Sequence, residues 1–204
     1  MAWDNTLNYF GPFRKEAGED EFATTGLTVE VSTYLDQCVA AIITPKETPE
    51  GGEVFYCDCT ITNGAITVGR VAEQFTHTDT FGIDDFTNND DLIERVFFTA
   101  PYAITIEEVQ WSNSVGVFTG TPVLNVGTTT TDPDEFVDAQ AITKTTLVTT
   151  TITTFASTAI SDGDIVRILT TAGTGTGPYG ASLTLNGYRT PTSALEFNYL
   201  FLGF

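Results

Sequence analysis

Threonine is the residue that most constrains this chain: it fills 38 of 204 positions, while Lys fills only 3. β-Branched side chains lose χ1 freedom against a preceding helical turn but pack well on a pleated sheet. A Thr-rich, Lys-poor chain with 15 Phe therefore reads as an all-β protein, and a helical bundle is not expected. With 41% hydrophobic residues the chain can bury a sizeable core, and its length suits one large β domain or two small ones.

Charge narrows the partners. There are 27 Asp plus Glu against 8 Lys plus Arg, a formal net charge of -19. Phosphate affinity comes from counterion release by Lys and Arg, so neither nucleic acid nor an anionic membrane is an expected partner. The acidity is uneven: residues up to Glu94 hold 18 acidic and 4 basic side chains (net -14), and the rest hold 9 and 4 (net -5). No run of 18 apolar residues and no apolar stretch behind a basic one occurs, so neither a membrane span nor a signal peptide is expected. The cysteines number 3. Strand geometry puts Cys57 and Cys59 on one face with Phe55 and Ile61, which reads as a core face carrying free thiols in a protein made in a reducing cytoplasm.

Residues 1 to about 26 carry Trp3, Tyr9, Phe10, Phe13 and Phe22 without strand or helix periodicity, broken by Gly11-Pro12 and the acidic run at 18–21. Such an arm packs across its own domain or onto a neighbouring subunit. Strand-like runs follow at Leu27 to Thr33, Cys38 to Ile43, Val54 to Thr62 and Ala65 to Arg70. Asn63-Gly64 between the last two marks a type I′ hairpin, whose two central residues need positive φ. The stretch from Phe75 to Asp91 is polar and acidic and reads as a connector. Beyond it, strands are expected at Ile93 to Thr99, Ala103 to Trp111, Pro122 to Val126, Thr145 to Phe155, Asp164 to Thr170, Ala181 to Tyr188 and Leu195 to Phe201. Ile104 and Ile106 share a face, and a bulge at Glu107-Glu108 lets Val109 and Trp111 return to it. Asp132-Pro133-Asp134-Glu135 has the cap, proline and acidic first turn of a short helix. The expected architecture is an antiparallel β-sandwich of jelly-roll type over residues 76–204 with one short helix, preceded over 1–75 by the arm and a small β unit.

No catalytic signature stands out, and no metal or cofactor is expected. The glycine loop from Gly173 to Gly180 has no Lys after its last glycine, and it leads into an alternating strand rather than a helix, so it is not a phosphate cradle. Acidic pairs match no Asp-x-Asp-x-Asp-Gly calcium loop, and Asp162-Gly163-Asp164 reads as a tight turn. The single histidine, His77, lies in the polar connector without a nucleophile elbow to accompany it. Of the aromatics near loops, Trp111 is in phase with the core, while Tyr179 is the candidate for exposed-loop binding.

From about residue 93 the order is an apolar strand ending in TAPY, a strand holding Trp111, a Gly/Thr loop, VLNVG, an Asp-Pro segment, a DGD turn, a Gly-rich loop and the closing LTLNGYR. This pattern resembles the β-sandwich domains of tailed-bacteriophage virion proteins, particularly head decoration (cement) and head-fibre proteins, over a little more than half of the chain. The resemblance implies a non-enzymatic structural protein: a homotrimer on the outer surface of the virion, bound to the major capsid protein and stabilising the shell. On this reading Trp3, Tyr9, Phe10 and Phe13 contribute to the capsid or subunit interface. The alternative is a tail or head-fibre module that recognises host glycans through loops at Ser112 to Thr119 and Gly173 to Gly180.

Overall fold

The computed structural model describes residues 13–49, 53–81, 92–115, 123–142, 148–171 and 179–204. Among them every regular element is a strand and every pairing is antiparallel. The strands are β1 (Arg14–Phe22), β2 (Thr28–Ser32), β3 (Cys38–Pro45), β4 (Val54–Thr62), β5 (Ala65–Val71), β6 (Gln74–Phe81), β7 (Leu92–Thr99), β8 (Ile104–Val115), β9 (Val123–Gly127), β10 (Val137–Ala141), β11 (Thr149–Ile152), β12 (Ala159–Ile160), β13 (Ile165–Thr171), β14 (Tyr179–Arg189) and β15 (Leu195–Gly203). They form two compact units: residues 1–73 with 191–204, and residues 74–190.

The first unit is built from two three-stranded sheets, β1-β15-β3 and β2-β5-β4. Their inner faces share one core of Phe22, Val31, Leu35, Ile66, Val68, Leu195, Phe197 and Phe201. The Phe22 ring lies 4.9 Å from that of Phe197 and 5.9 Å from that of Phe55. The hairpin forms where the sequence places it: Asn63 and Gly64 have φ of 53° and 77°, and Thr62 pairs with Ala65. Arg70 is a buried cation set against the Phe22 ring. Its guanidinium donates to the carbonyls of Ala23, Thr24 and Gly26 and faces the buried Glu53 carboxylate at 3.4 Å. One side chain thereby fixes the turn between β1 and β2 and the start of β4.

Two expectations are corrected here. Residues 14–22, read as part of a non-periodic arm, form β1, paired residue for residue with β15. Its inward positions are Glu16, Gly18, Asp20 and Phe22, so the apolar alternation that marks a strand is absent. Glu16 accepts from Thr33 Oγ1 and Tyr34 N at 2.7 and 3.1 Å. Gly18 lets the Tyr199 ring lie across it, and a Cβ there would fall 2.4 Å from the Tyr199 hydroxyl. The second correction is β15 itself, read as the last strand of the sandwich. It lies instead between β1 and β3 and buries Leu195, Phe197 and Phe201 in the first unit's core. Its hydrophobic period suits any half-buried strand, so only its partners decide where it belongs.

The second unit is a two-sheet sandwich with strand orders β6-β14-β8-β11 and β7-β13-β9-β10, and β12 beside β8. Successive strands β6 to β9 alternate between the sheets, β10 stays beside β9, and β11 returns to the first sheet, the double Greek key of a jelly roll. The core draws on both: Phe97, Phe98, Leu124, Val126, Val166 and Ile168 from one sheet face Ile104, Ile106, Val109, Trp111, Leu183 and Leu185 from the other. Glu107 is the extra residue between the pairs Glu108–Asn186 and Ile106–Gly187, so the bulge stands where the sequence places it and Trp111 is fully buried. Gln74 pairs with the strand that ends at Arg189, opposite Tyr188. Entry to and exit from the unit are thus neighbours, the geometry that lets one domain interrupt another.

The helix expected at Asp132 is absent. Residues 128–136 form an irregular loop that leads into β10. Glu135 does not sit on a helix N-terminus. Its carboxylate turns back and accepts from the amides of Thr128 and Thr129 at 2.7 and 3.3 Å, and from the Thr129 hydroxyl. This brings Phe136 and Val137 into the core, a burial that a solvated helical turn would not give. Partial burial raises the Glu135 pKa, but the donated amide bonds outweigh it and hold the carboxyl below its ordinary value.

Three outcomes follow from these contacts. Residues 74–190 expressed alone should fold, with a cooperative melt and dispersed amide spectrum, because both ends are paired within the unit. Arg70→Ala should cost about 3–5 kcal/mol in denaturant titrations, since it removes the buried cation that faces Glu53 and donates to the carbonyls of Ala23, Thr24 and Gly26. Because the folded pKa of Glu135 is lowered, its contribution is present above the unfolded-state value and lost as pH falls through the folded one. Stability of the wild type between pH 6 and about 3 should therefore fall more than that of Glu135→Gln, as read by chemical denaturation at each pH.

Candidate functional site

Strand alternation gives the sheet β1-β15-β3 an outer face opposite its core face. Register lines this outer face up in rows across the three strands: Glu19, Asn198 and Thr44; then Ala17, Leu200 and Ile42; then Lys15, Leu202 and Ala40. The Phe13 and Phe204 rings meet at 4.7 Å beyond the last row. The sheet therefore carries a polar end and an apolar end. At the polar end Lys46 bridges Glu19 at 2.9 Å and Glu196 at 2.6 Å, and those hydrogen bonds raise its pKa above the ordinary ammonium value. At the apolar end Ile42 is 55% and Phe13 39% exposed, with Val39 at 51% close by in β3. Apolar side chains exposed in adjacent rows, edged by Lys15 and by the charges of the polar end, mark an interaction surface rather than scattered exposed residues.

Of the residues singled out from the sequence, Phe13 lies on this patch. Trp3, Tyr9 and Phe10 lie outside the described residues, but the segment that carries them joins the sheet at Phe13. Tyr179 opens β14 opposite Val115, and its side chain lies outside those described. Sequence reasoning did not find Leu200, Leu202 and Ile42, because the face a strand turns outward is set by its neighbours.

His77 is in β6, not in a loop as the sequence suggested. Its Nε2 donates to the Phe97 carbonyl at 3.1 Å, and its ring packs on Phe97 and Phe98, a packing role. Asp79 on β6 pairs with Arg95 on β7 at 2.5 Å, tying the two sheets of the sandwich together. Asp162-Gly163-Asp164 is the expected turn, with Gly163 at φ 80° and Asp164 accepting from Ser161 N at 2.9 Å. Among the described residues no group of His, Cys, Asp or Glu is placed to hold a metal ion.

The strand ends of the second unit carry one further arrangement. Phe81 pairs with Ala181, Leu92 and Val123 pair with Thr171, Val115 with Tyr179, and Ala141 with Val123. The strand ends that flank residues 82–91, 116–122, 143–147 and 172–178 are therefore all at one end of the sandwich, opposite Gln74 and Arg189.

No protein-family model matches the chain, and no curated protein sequence matches it. Among solved structures, a chain of the cyanophage Pam1 capsid asymmetric unit is similar at 15% identity, with 58% of this chain and 84% of that one covered and a TM-score of 0.39. A chain of infectious bursal disease virus Gx strain is similar at 8% identity over 93% of this chain and 79% of that one, with a TM-score of 0.20. Both neighbours come from virus structures, and at these scores neither carries an assignment for this chain.

Proposed function

We propose that this chain is a non-enzymatic virion protein that decorates a phage capsid: the apolar face of β1-β15-β3 and residues 1–12 grip the major capsid protein lattice, and the jelly roll of residues 74–190 faces outward and trimerises. The observation that carries the reading is the patch of Phe13, Ala17, Leu200, Leu202 and Ile42, located where the aromatic segment with Trp3, Tyr9 and Phe10 leaves the sheet. Seating that patch and three aromatic side chains together buries enough apolar surface to hold a stable contact. Three further points support the reading. The jelly roll is a recurrent capsid architecture. A net charge of -19 keeps the protein off packaged nucleic acid. The second unit carries one extensive core drawn from both of its sheets, a rigid scaffold for a shell protein.

A glycan-binding module is the second reading, favoured by the gathering at one end of the sandwich of the strand ends Phe81, Leu92, Val115, Val123, Thr171 and Tyr179. Loop clusters on a rigid scaffold are where binding sites concentrate, and jelly rolls also serve as lectin domains.

Copy number separates the two readings. Quantitative mass spectrometry of virions of the phage that encodes the chain should find it in hundreds of copies, comparable with the major capsid protein. A few to a few tens would transfer it to a tail or fibre and favour glycan binding. In a rebinding assay on particles lacking the protein, Ile42→Asp with Leu200→Asp should weaken attachment about tenfold or more while the melting curve stays unchanged. Deletion of residues 1–12, which stops short of β1, should do the same, and undiminished binding by both variants would refute the assignment.

A further inference from the structure

The described molecule holds three free thiols, and all three belong to the first unit. Cys38 opens β3 and is buried, while Cys57 and Cys59 lie on β4 and are half-buried against the same core. β3 and β4 belong to different sheets and run side by side without a backbone ladder. A bulge lies between Cys57 and Ile61, and within it Cys59 has a φ of 59°, a left-handed conformation unusual for a side-chain-bearing residue. Cys57 and Cys59 both pack against the core that contains Cys38, and of the two it is Cys59 whose thiol interacts with that of Cys38 across the seam.

We propose that Cys38 and Cys59 are an oxidation site: on meeting a small-molecule disulfide they form a disulfide bond that staples β3 to β4. The chemistry balances with glutathione disulfide as oxidant. The half-exposed Cys59 thiolate attacks one glutathione sulfur, breaking the glutathione S–S bond and releasing one glutathione thiol. The Cys38 thiolate then displaces the second glutathione from the mixed disulfide. Two protein S–H bonds and the glutathione S–S bond are lost, one protein S–S bond forms, and the two protons and two electrons reside in the two glutathione thiols. Before oxidation, burial pushes the Cys57 and Cys59 thiols up, so at neutral pH they are protonated and slow to react. The protein can thus stay reduced inside a cell and be stapled after release. This inference uses only the first unit's geometry and stands apart from the capsid reading.

The test uses the full-length protein, purified reduced and then incubated with glutathione disulfide. Intact mass should fall by two hydrogens, non-reducing peptide mapping should recover a Cys38–Cys59 cross-link, and Cys57 should remain open to alkylation. The melting temperature of the first unit should rise by about 10 °C and return on reduction. Cys57→Ser should form the same cross-link, and Cys38→Ser and Cys59→Ser should not. A Cys57–Cys59 product, glutathione adducts alone, or three thiols still open to alkylation would each overturn the proposal.

Discussion

The first unit depends on a strand that arrives last in the sequence. β15 is hydrogen-bonded to β1 on one side and β3 on the other. It supplies Leu195, Phe197 and Phe201 to a core whose remaining members lie more than a hundred positions earlier. Without it β1 has no ladder partner and the outer face does not exist as a surface, because Leu200 and Leu202 are its central column. The pairings are non-local, so their loop-closure cost is high unless the intervening chain closes on itself first. The sandwich does this through the pairing of Gln74 with Tyr188.

Charged side chains anchor the irregular connections of both units. The buried Arg70 gathers three turn carbonyls and the buried Glu53 carboxylate, Glu16 receives the Thr33 hydroxyl and the Tyr34 amide, and Glu135 receives the amides after β9. In each case a charge closes an irregular connection by pairing groups there that no strand ladder satisfies. An acidic chain with few cations spends them where one side chain satisfies several acceptors, as Lys46 also does between Glu19 and Glu196.

Much of the strand content was legible because its signals are local. The Asn63-Gly64 hairpin needs only two residues that tolerate positive φ, and the Glu107 bulge shows itself as a phase slip between Ile106 and Val109. What misled was also local. Asp132-Pro133-Asp134-Glu135 carries every mark of a helix start, but the tertiary pull of Phe136 and Val137 into the core outweighs that propensity. β1 was invisible because Gly18 and the acidic residues around it give no apolar period. Its place is fixed by Tyr199 lying over Gly18 and by hydrogen bonds to Glu16. The candidate site was legible at one residue, Phe13, and the rest of the patch was not.

The sequence by itself determined the all-β class, the free thiols, the acidic surface and most strand positions, since these follow from residue composition, side-chain period and turn chemistry within a few neighbours. Tertiary structure alone decided that residues 195–203 return to the first unit, that Ile42, Ala17 and Leu200 stand in one row, and that Cys38 and Cys59 share one core. Those are matters of register between strands far apart in the chain, and a period of two places a side chain on a face without saying which strand lies beside it.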